Sequence, residues 1–256
     1  MKLGIGNLNS VAMRIEPSNA SEMVSQLLFG ETFEIIESNN QWIKIISDFD
    51  FYEGWVLINQ VLLINEQNYE RIINNNTNVS KELITYISDR ENNLQILSLG
   101  ASLPLFEKSS FKLVNDQYDF DGRTNNIKSP KNELVNTAYM YLNTPFLWGG
   151  RTPFGLDCSG FVQMVYKING HSLLRDARDQ AGQGEVLSFI EESEPGDLAF
   201  FDDEEGEIIH VGIILADNNI IHCNGKVRID RLDHSGILNV DTKRHTHKLR
   251  LIKQIF

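Results

Sequence analysis

Between Leu147 and Asn169 a glycine-rich loop runs into an apolar helical stripe, and a cysteine sits at the junction. The loop carries Trp148-Gly149-Gly150 and Gly155-Leu156-Asp157, and Cys158 follows at once. Phe161, Val162, Val165 and Ile168 form the stripe of a helix from about Cys158 to Ile168, which Asn169-Gly170 stops. Ser129-Pro130 opens an earlier helix, with Ser129 as N-cap and Pro130 at the first helical position, running to about Leu142. Beyond the second helix the chain is strand-like, over Asp197–Phe201, Ile208–Leu215, Asn219–His222, Lys226–Ile229 and Leu249–Ile255. Helices first and an antiparallel sheet afterwards predict an α+β unit over residues 129–256. At roughly 125 residues it is large enough for its own core.

The first half has a different rhythm. Val11–Ile15, Thr32–Glu37, Trp42–Ile46 and Gly54–Ile58 are short strand-like runs, with turn chemistry at Asn39-Asn40 and Asp48–Asp50. They predict a small all-β barrel over residues 1–64, with Met1 at the head of strand-like sequence. Residues 65–128 are less regular: Ile72–Ser80 is asparagine-rich and reads as a loop. Leu83–Ile87, Leu94–Leu97, Leu97–Phe106 and Phe111–Val114 suggest a second small barrel, ending in linker material at Asp121–Asn126.

The 256 residues carry 23 Lys+Arg against 35 Asp+Glu, a net charge of −12. That field repels polyanions, so neither nucleic acid nor an anionic membrane is an expected partner. No apolar run approaches the ~20 residues that span a bilayer. The N-terminal sequence lacks a basic stretch followed by an apolar core, which argues against a secretory signal and for the cytoplasm. Two cysteines without a Cys-x-x-Cys spacing suit a reducing compartment and suggest no zinc site.

Cys158 is the candidate nucleophile. A cysteine in the first turn of a helix feels unpaired N–H groups and the positive dipole end, which favour thiolate and face a developing oxyanion. Such a nucleophile needs a base in hydrogen-bond reach. His210 and His222 lie on successive strands joined by a turn at Asp217–Asn219, so they can share one face. His210 is read as the base and His222 as the group that holds its orientation and tautomer. Each residue alone also has a plainer reading. A cysteine at a helix start is often a small buried hydrophobe, and His210 and His222 taken singly are ordinary structural or surface histidines. His171, His234, His245 and His247 are read as structural or surface histidines. Cys223, on the opposite strand face from His222, is read as a packing thiol. Cys158 with these histidines lacks a close ligand pair, so no metal is expected.

The segment Leu147-Trp148-Gly149-Gly150-Arg151-Thr152-Pro153-Phe154-Gly155-Leu156-Asp157-Cys158-Ser159-Gly160-Phe161-Val162-Gln163 resembles the nucleophile segment of the NlpC/p60 family of cell-wall cysteine peptidases. Pro195–Phe201 followed by His210-Val211-Gly212-Ile213 resembles that family's base segment. The resemblance covers about residues 129–256 and implies a minimal papain-like α+β domain with Cys158, His210 and His222 as its triad. Arg14–Ser18, Ser21–Gln26, Phe29–Glu31 and Tyr52–Val56 resemble a bacterial SH3-like domain. Two such barrels ahead of the peptidase domain are similar to the dipeptidyl-peptidase VI type within the family.

That resemblance implies a γ-D-glutamyl-L-diamino acid endopeptidase, acting in peptidoglycan recycling on murein tripeptides or related stem peptides with a free N-terminal L-Ala. It implies no cofactor and is read here with a monomer. It suggests Asp176 as a partner for the L-Ala ammonium, Asp157, Ser159 and Trp148 as further pocket residues, and Glu16 and Tyr52 as contributions from the first barrel. Two positions depart from the family pattern. Phe146 stands where a tyrosine thought to assist the oxyanion is usual, which makes the Tyr141 hydroxyl a substitute candidate; Ala177 stands where relatives often carry serine. An endopeptidase on intact wall and a non-catalytic wall-peptide-binding protein are the alternatives.

Overall fold

The computed structural model describes residues 2–256, so the expectation for Met1 falls outside the described residues. The chain is mostly β, with few helices, and divides into two compact units. One is Met1–Ile127 together with Trp148–Pro153; the other is Lys128–Leu147 together with Phe154–Phe256.

In the N-terminal unit, an antiparallel sheet runs in the order Met23–Leu28, Ser10–Arg14, Glu53–Leu57, Trp42–Ser47, Thr32–Asn39, Lys2–Ile5, Leu62–Ile64. Alternation puts Val11, Met13, Leu27, Phe33, Ile43, Ile45 and Val56 into one buried cluster. The hairpin turn falls at the expected asparagine pair: Asn39 pairs with Trp42, and Asn40 takes φ 52, a conformation asparagine tolerates.

The irregular stretch after residue 65 opens with a helix, Glu66–Ile73, that sequence reasoning left unassigned. Asn65 caps it by accepting from Asn68 N–H at 2.9 Å. Two small sheets follow. One has the order Leu94–Ser98, Ile84–Asp89, Asp116–Asp119, Ser110–Leu113, and the other Ser102–Leu103, Asn78–Ser80, Thr124–Asn125.

The expected division into 1–64, 65–128 and 129–256 differs from these units in two respects. Ile5 and Phe29 from the first sheet share a core with Ile87, Leu97, Leu103, Phe111 and Phe120, so residues 1–127 pack as one body. The approach is close: Ser102 N–H donates to the Phe29 carbonyl at 2.8 Å, and a side chain on Gly30 would collide with the Ser102 carbonyl. Trp148–Pro153, in turn, belongs to the N-terminal unit. There Arg151 makes a two-pronged ion pair with Glu31, 2.9 Å on each prong, with both side chains buried.

In the C-terminal unit two helices, Lys131–Met140 and Cys158–Ile168, accompany an antiparallel sheet. Ser129 does not cap the first of them: the cap position is Pro130, whose ring has no hydrogen-bonding group to offer, and the Ser129 carbonyl faces His171 Nε2 at 3.1 Å. The second helix begins and ends where the stripe and the Asn169-Gly170 stop predict, with Gly170 at φ 78.

The sheet runs in the order Glu185–Leu187, Arg244–Gln254, Leu198–Asp202, Ile208–Leu215, Asn219–Asn224, Lys226–Asp233, Gly236–Asn239. Gly236–Asn239 also pairs with Arg244–Gln254, which closes six of these strands into a barrel. Ala199, Phe201, Ile214, Ile220, Leu232, Ile237 and Ile252 fill its interior. Two-residue alternation along the strands puts His210, His222 and Asp230 on that same interior face.

Candidate active site

Asp157 is the N-cap of the cysteine helix and explains why the helix starts there. Its Oδ1 accepts from Gly160 N–H at 2.6 Å, satisfying an orphan donor of the first turn. Fully buried Arg175 grips the same carboxylate, at 3.0 Å to Oδ1 and 2.5 Å to Oδ2, and donates to Ser159 Oγ at 2.9 Å. Asp157, Ser159 and Arg175 thus form one buried polar knot beside Cys158. Arg175 was not singled out in the sequence, because nothing local there reveals a guanidinium folded inward.

Expected thiolate character at Cys158 is not what the surroundings produce. Burial pushes the thiol up to about 12, and the neighbouring Asp157 carboxylate adds to the rise. The backbone N–H groups of Val211 and Ser159 and the Arg175 charge oppose it without winning. The Val211 contact also places the sulfur against the strand that carries His210, one residue away.

The two histidines meet. His210 Nε2 lies 2.9 Å from His222 Nδ1, with both rings buried. Gly212, not His210, stands directly opposite His222 in the ladder, so the contact is diagonal. Glycine at 212 makes room for it: a Cβ there would lie 2.9 Å from the His222 Cβ and 2.7 Å from Ile220. Burial, then the His222 and His247 rings, holds His210 well below the ordinary imidazole range. Thiol and imidazole are therefore both shifted toward their neutral forms, the pairing in which an imidazole can take up a thiol proton.

Behind His222 stands Asp230, which the sequence reading missed. Its Oδ2 is 3.0 Å from His222 Nε2 and accepts from Arg228 Nε at 2.7 Å. Oδ1 accepts from Arg228 Nη2 at 2.9 Å and Val240 N–H at 2.8 Å. The signal was present as the strand alternation Arg228, Asp230, Leu232 after His222, but a lone acidic residue on a strand carries no motif.

His247, read as a structural or surface histidine, is a packing ring: it stacks on His210, with ring centroids 4.2 Å apart. Cys223 does point away from His222, and its Sγ donates to the Leu156 carbonyl at 3.2 Å.

The remaining expected pocket residues divide between the two units. Asp176 is half-buried at the start of the short helix Ala177–Gln180, where its side chain makes no capping bond. Trp148, Glu16 and Tyr52 belong to the N-terminal unit. Within that unit the Trp148 indole N–H donates to Glu22 at 2.6 Å, Glu16 is exposed, and Tyr52 packs on the barrel core. Phe146 is 42% exposed, while Tyr141 is buried with its ring edge-on to Phe161. Among the described residues no group of histidine, cysteine and carboxylate side chains has the arrangement of a metal site.

A cysteine at a helix start, set against a strand that carries one of two coupled imidazoles, is the constellation of a cysteine peptidase. The NlpC/P60 family profile matches residues 143–245, and the profile of the bacterial dipeptidyl-peptidase SH3 domain matches residues 13–61. A γ-D-glutamyl-L-lysine dipeptidyl-peptidase of Bacillus subtilis (strain 168) is 31% identical over 216 residues, 77% of this chain and 71% of that one. Dipeptidyl-peptidase 6 of Lysinibacillus sphaericus is 26% identical over 250 residues, 85% of this chain and 87% of that one. The crystal structure of an NlpC/P60 family protein from Bacillus cereus ATCC 10987 has the same fold, with a TM-score of 0.83 at 19% identity over 99% of each chain. The chain belongs to the NlpC/P60 family of cysteine peptidases and carries a bacterial SH3 domain ahead of the peptidase domain.

Proposed function

We propose that this protein cleaves the γ-D-glutamyl-L-diamino acid amide of small murein peptides that carry a free N-terminal L-Ala. The observation that carries the reading is the 2.9 Å contact between His210 Nε2 and His222 Nδ1 on the strand against which the Cys158 sulfur rests. With Nε2 engaged, Nδ1 is the nitrogen of His210 left for the thiol. Cys158 Sγ attacks the γ-carbonyl carbon while its proton passes to His210 Nδ1. The positive end of the Cys158–Ile168 helix, whose Gly160 N–H is already held by Asp157, favours the developing oxyanion. His210 then returns the proton to the departing α-amine, and L-Ala-γ-D-Glu remains as a thioester on Cys158. Water, deprotonated by His210, adds to the thioester and frees the dipeptide.

The names of the relatives support the substrate: a dipeptidyl-peptidase removes a dipeptide from a free amino end, and a γ-D-glutamyl-L-lysine bond is a γ-D-glutamyl-L-diamino acid bond. A free L-Ala amine is the mark of peptide already released from the glycan. We accordingly place the reaction in peptide recycling in the cytoplasm, with Asp176 as the partner of the ammonium. We further infer a minimal papain-like α+β peptidase domain behind two SH3-like barrels, the second built from the small sheets of residues 78–125.

The test is release of L-Ala-γ-D-Glu from free L-Ala-γ-D-Glu-L-Lys by the wild type and by Cys158→Ala. Turnover is expected from the wild type alone, and equal turnover by both overturns the proposal. Equal cleavage of the N-acetylated tripeptide moves the enzyme to intact wall.

A further inference from the structure

The polar chain at the end of the barrel does not stop at the histidine pair, and its far end carries directional information. Asp230 is fully buried and its pKa is held down at about 2, since the bonds from His222, Arg228 and Val240 N–H outweigh the cost of burying it. An ionised carboxylate only accepts hydrogen bonds. Its contact with His222 Nε2, at 3.0 Å, therefore requires a proton on that nitrogen, which fixes the tautomer of an imidazole that carries one proton. His222 Nδ1 is then a bare lone pair and can only accept across its 2.9 Å contact with His210. His210 must donate there from Nε2, which leaves Nδ1 without a proton. The reverse tautomer would put a proton on His210 Nδ1 and leave the thiol no acceptor.

We propose that Asp230 is a positioning residue that sets the tautomers of His222 and His210, so that the His210 Nδ1 lone pair faces Cys158. Arg228 and Val240 N–H hold the carboxylate still: together they supply three of its four hydrogen bonds. Sheet register aids this, since Arg228 stands opposite His222 and Asp230 opposite Ile220, so the carboxylate reaches its imidazole along the strand. No proton travels to Asp230; it acts through two rings by being unable to donate. The inference rests on the reading of Cys158 as nucleophile and His210 as base.

Two measurements test it. Long-range proton–nitrogen NMR of the wild type, labelled at histidine, reads the tautomers directly. The expected result is both His210 and His222 protonated on Nε2, and a wild-type His222 protonated on Nδ1 overturns the proposal whatever the variants do. The second is Asp230→Asn, whose amide can donate to His222 Nε2 and invert the chain. A carboxylate in direct contact with a catalytic imidazole costs about 10⁴ in kcat when made an amide. One ring further away, kcat is expected to fall about 10²-fold with KM unchanged, together with a shift of the His222 nitrogen signals. Wild-type kcat in Asp230→Asn overturns the proposal. His210→Ala separates the two levels: if it keeps turnover, the base reading itself fails, whereas an inactive His210→Ala beside a fully active Asp230→Asn removes only the role of Asp230.

Discussion

The His247 ring lies parallel to that of His210, with centroids 4.2 Å apart and planes 23° apart, while Phe201 approaches the same imidazole from its own strand at 5.8 Å. The proposed base, His210, is thus held by rings as well as by its hydrogen bond to His222. Burial and the His222 ring keep His247 down at about 4, so it stacks as a neutral ring across the neutral range. An aromatic pair of this kind contributes about 0.5–1.5 kcal/mol beyond buried area. His247→Ala is expected to lose roughly that much stability in urea denaturation and to lower kcat several-fold as His210 gains freedom. His247→Phe, which keeps a ring, should retain most of both. Equal loss in the two variants would show that the nitrogen atoms of His247 matter and the stacking does not.

Acid should weaken this protein before it titrates its carboxylates. His210 and His247 are both depressed by burial, while in the unfolded chain each titrates near ~6.5. Below that value the unfolded state binds protons that the folded state refuses, so stability falls with pH. The loss begins near pH ~6.5 and continues toward about 4, where His247 itself protonates in the fold. Asp230, held at about 2, adds a further loss once unfolded carboxylates begin to protonate near ~3.9. Melting temperature across this range should decline in two stages, and the first should shrink in His247→Phe. Activity follows the same group: the acid limb of kcat/KM, which reports the free base, should lie on the acid side of ~6.5.

Much of this site was legible in the sequence, and the reason is local. Cys158 follows a glycine loop and leads an apolar stripe, so the helix start and the candidate nucleophile come from one short string. His210 and His222 sit on strands joined by a tight turn, which keeps a contact between near neighbours. Arg175, Asp230 and His247 escaped because what gives them a role is long-range. Arg175 reaches Asp157 across 18 positions, and His247 reaches His210 only because Arg244–Gln254 closes the barrel. Thiolate character was misjudged for a related reason: the helix end is local, whereas the burial that overrides it is a property of the packed unit. In the N-terminal unit the strongly alternating strands were found. Met23–Leu28 and Leu62–Ile64 were not, because short runs without alternation or flanking turns gain strand character from their neighbours in the sheet.

Arg175→Met tests the knot beside Cys158. The guanidinium is fully buried and neutralises an equally enclosed Asp157, so its removal leaves a carboxylate without its main counter-charge. Breaking such a pair from one side costs about 3–5 kcal/mol. Without the cation the Cys158 thiol rises further, because Arg175 is one of the influences that lower it. Both destabilisation in denaturant and slower alkylation of Cys158 by iodoacetamide are expected. The double variant Arg175→Met with Asp157→Asn should regain part of the stability, because no charge is then stranded. A double variant no more stable than the single one would show that the Asp157 cap on Gly160 N–H, and not the ion pair, holds this corner.

Gly212 offers the sharpest test of geometry, because a single methyl group discriminates. Its position opposite His222 is occupied by a hydrogen where any other residue has a Cβ, and that Cβ would press on the Cβ of His222 at 2.9 Å and on Ile220 at 2.7 Å. Neither neighbour can yield cheaply. Ile220 is packed in the barrel interior, and His222 is pinned between His210 and Asp230. Overpacking of this kind costs about 1–3 kcal/mol. Gly212→Ala should therefore remain folded with a reduced melting temperature, yet lose kcat by far more than that destabilisation alone would suggest, since a shift of His222 stretches its 2.9 Å contact with the base. Circular dichroism melting beside steady-state kinetics on the free tripeptide separates the two effects. Unchanged kcat with a lowered melting temperature would mean that Ile220 absorbs the added methyl and the histidine pair does not depend on the bare backbone at 212.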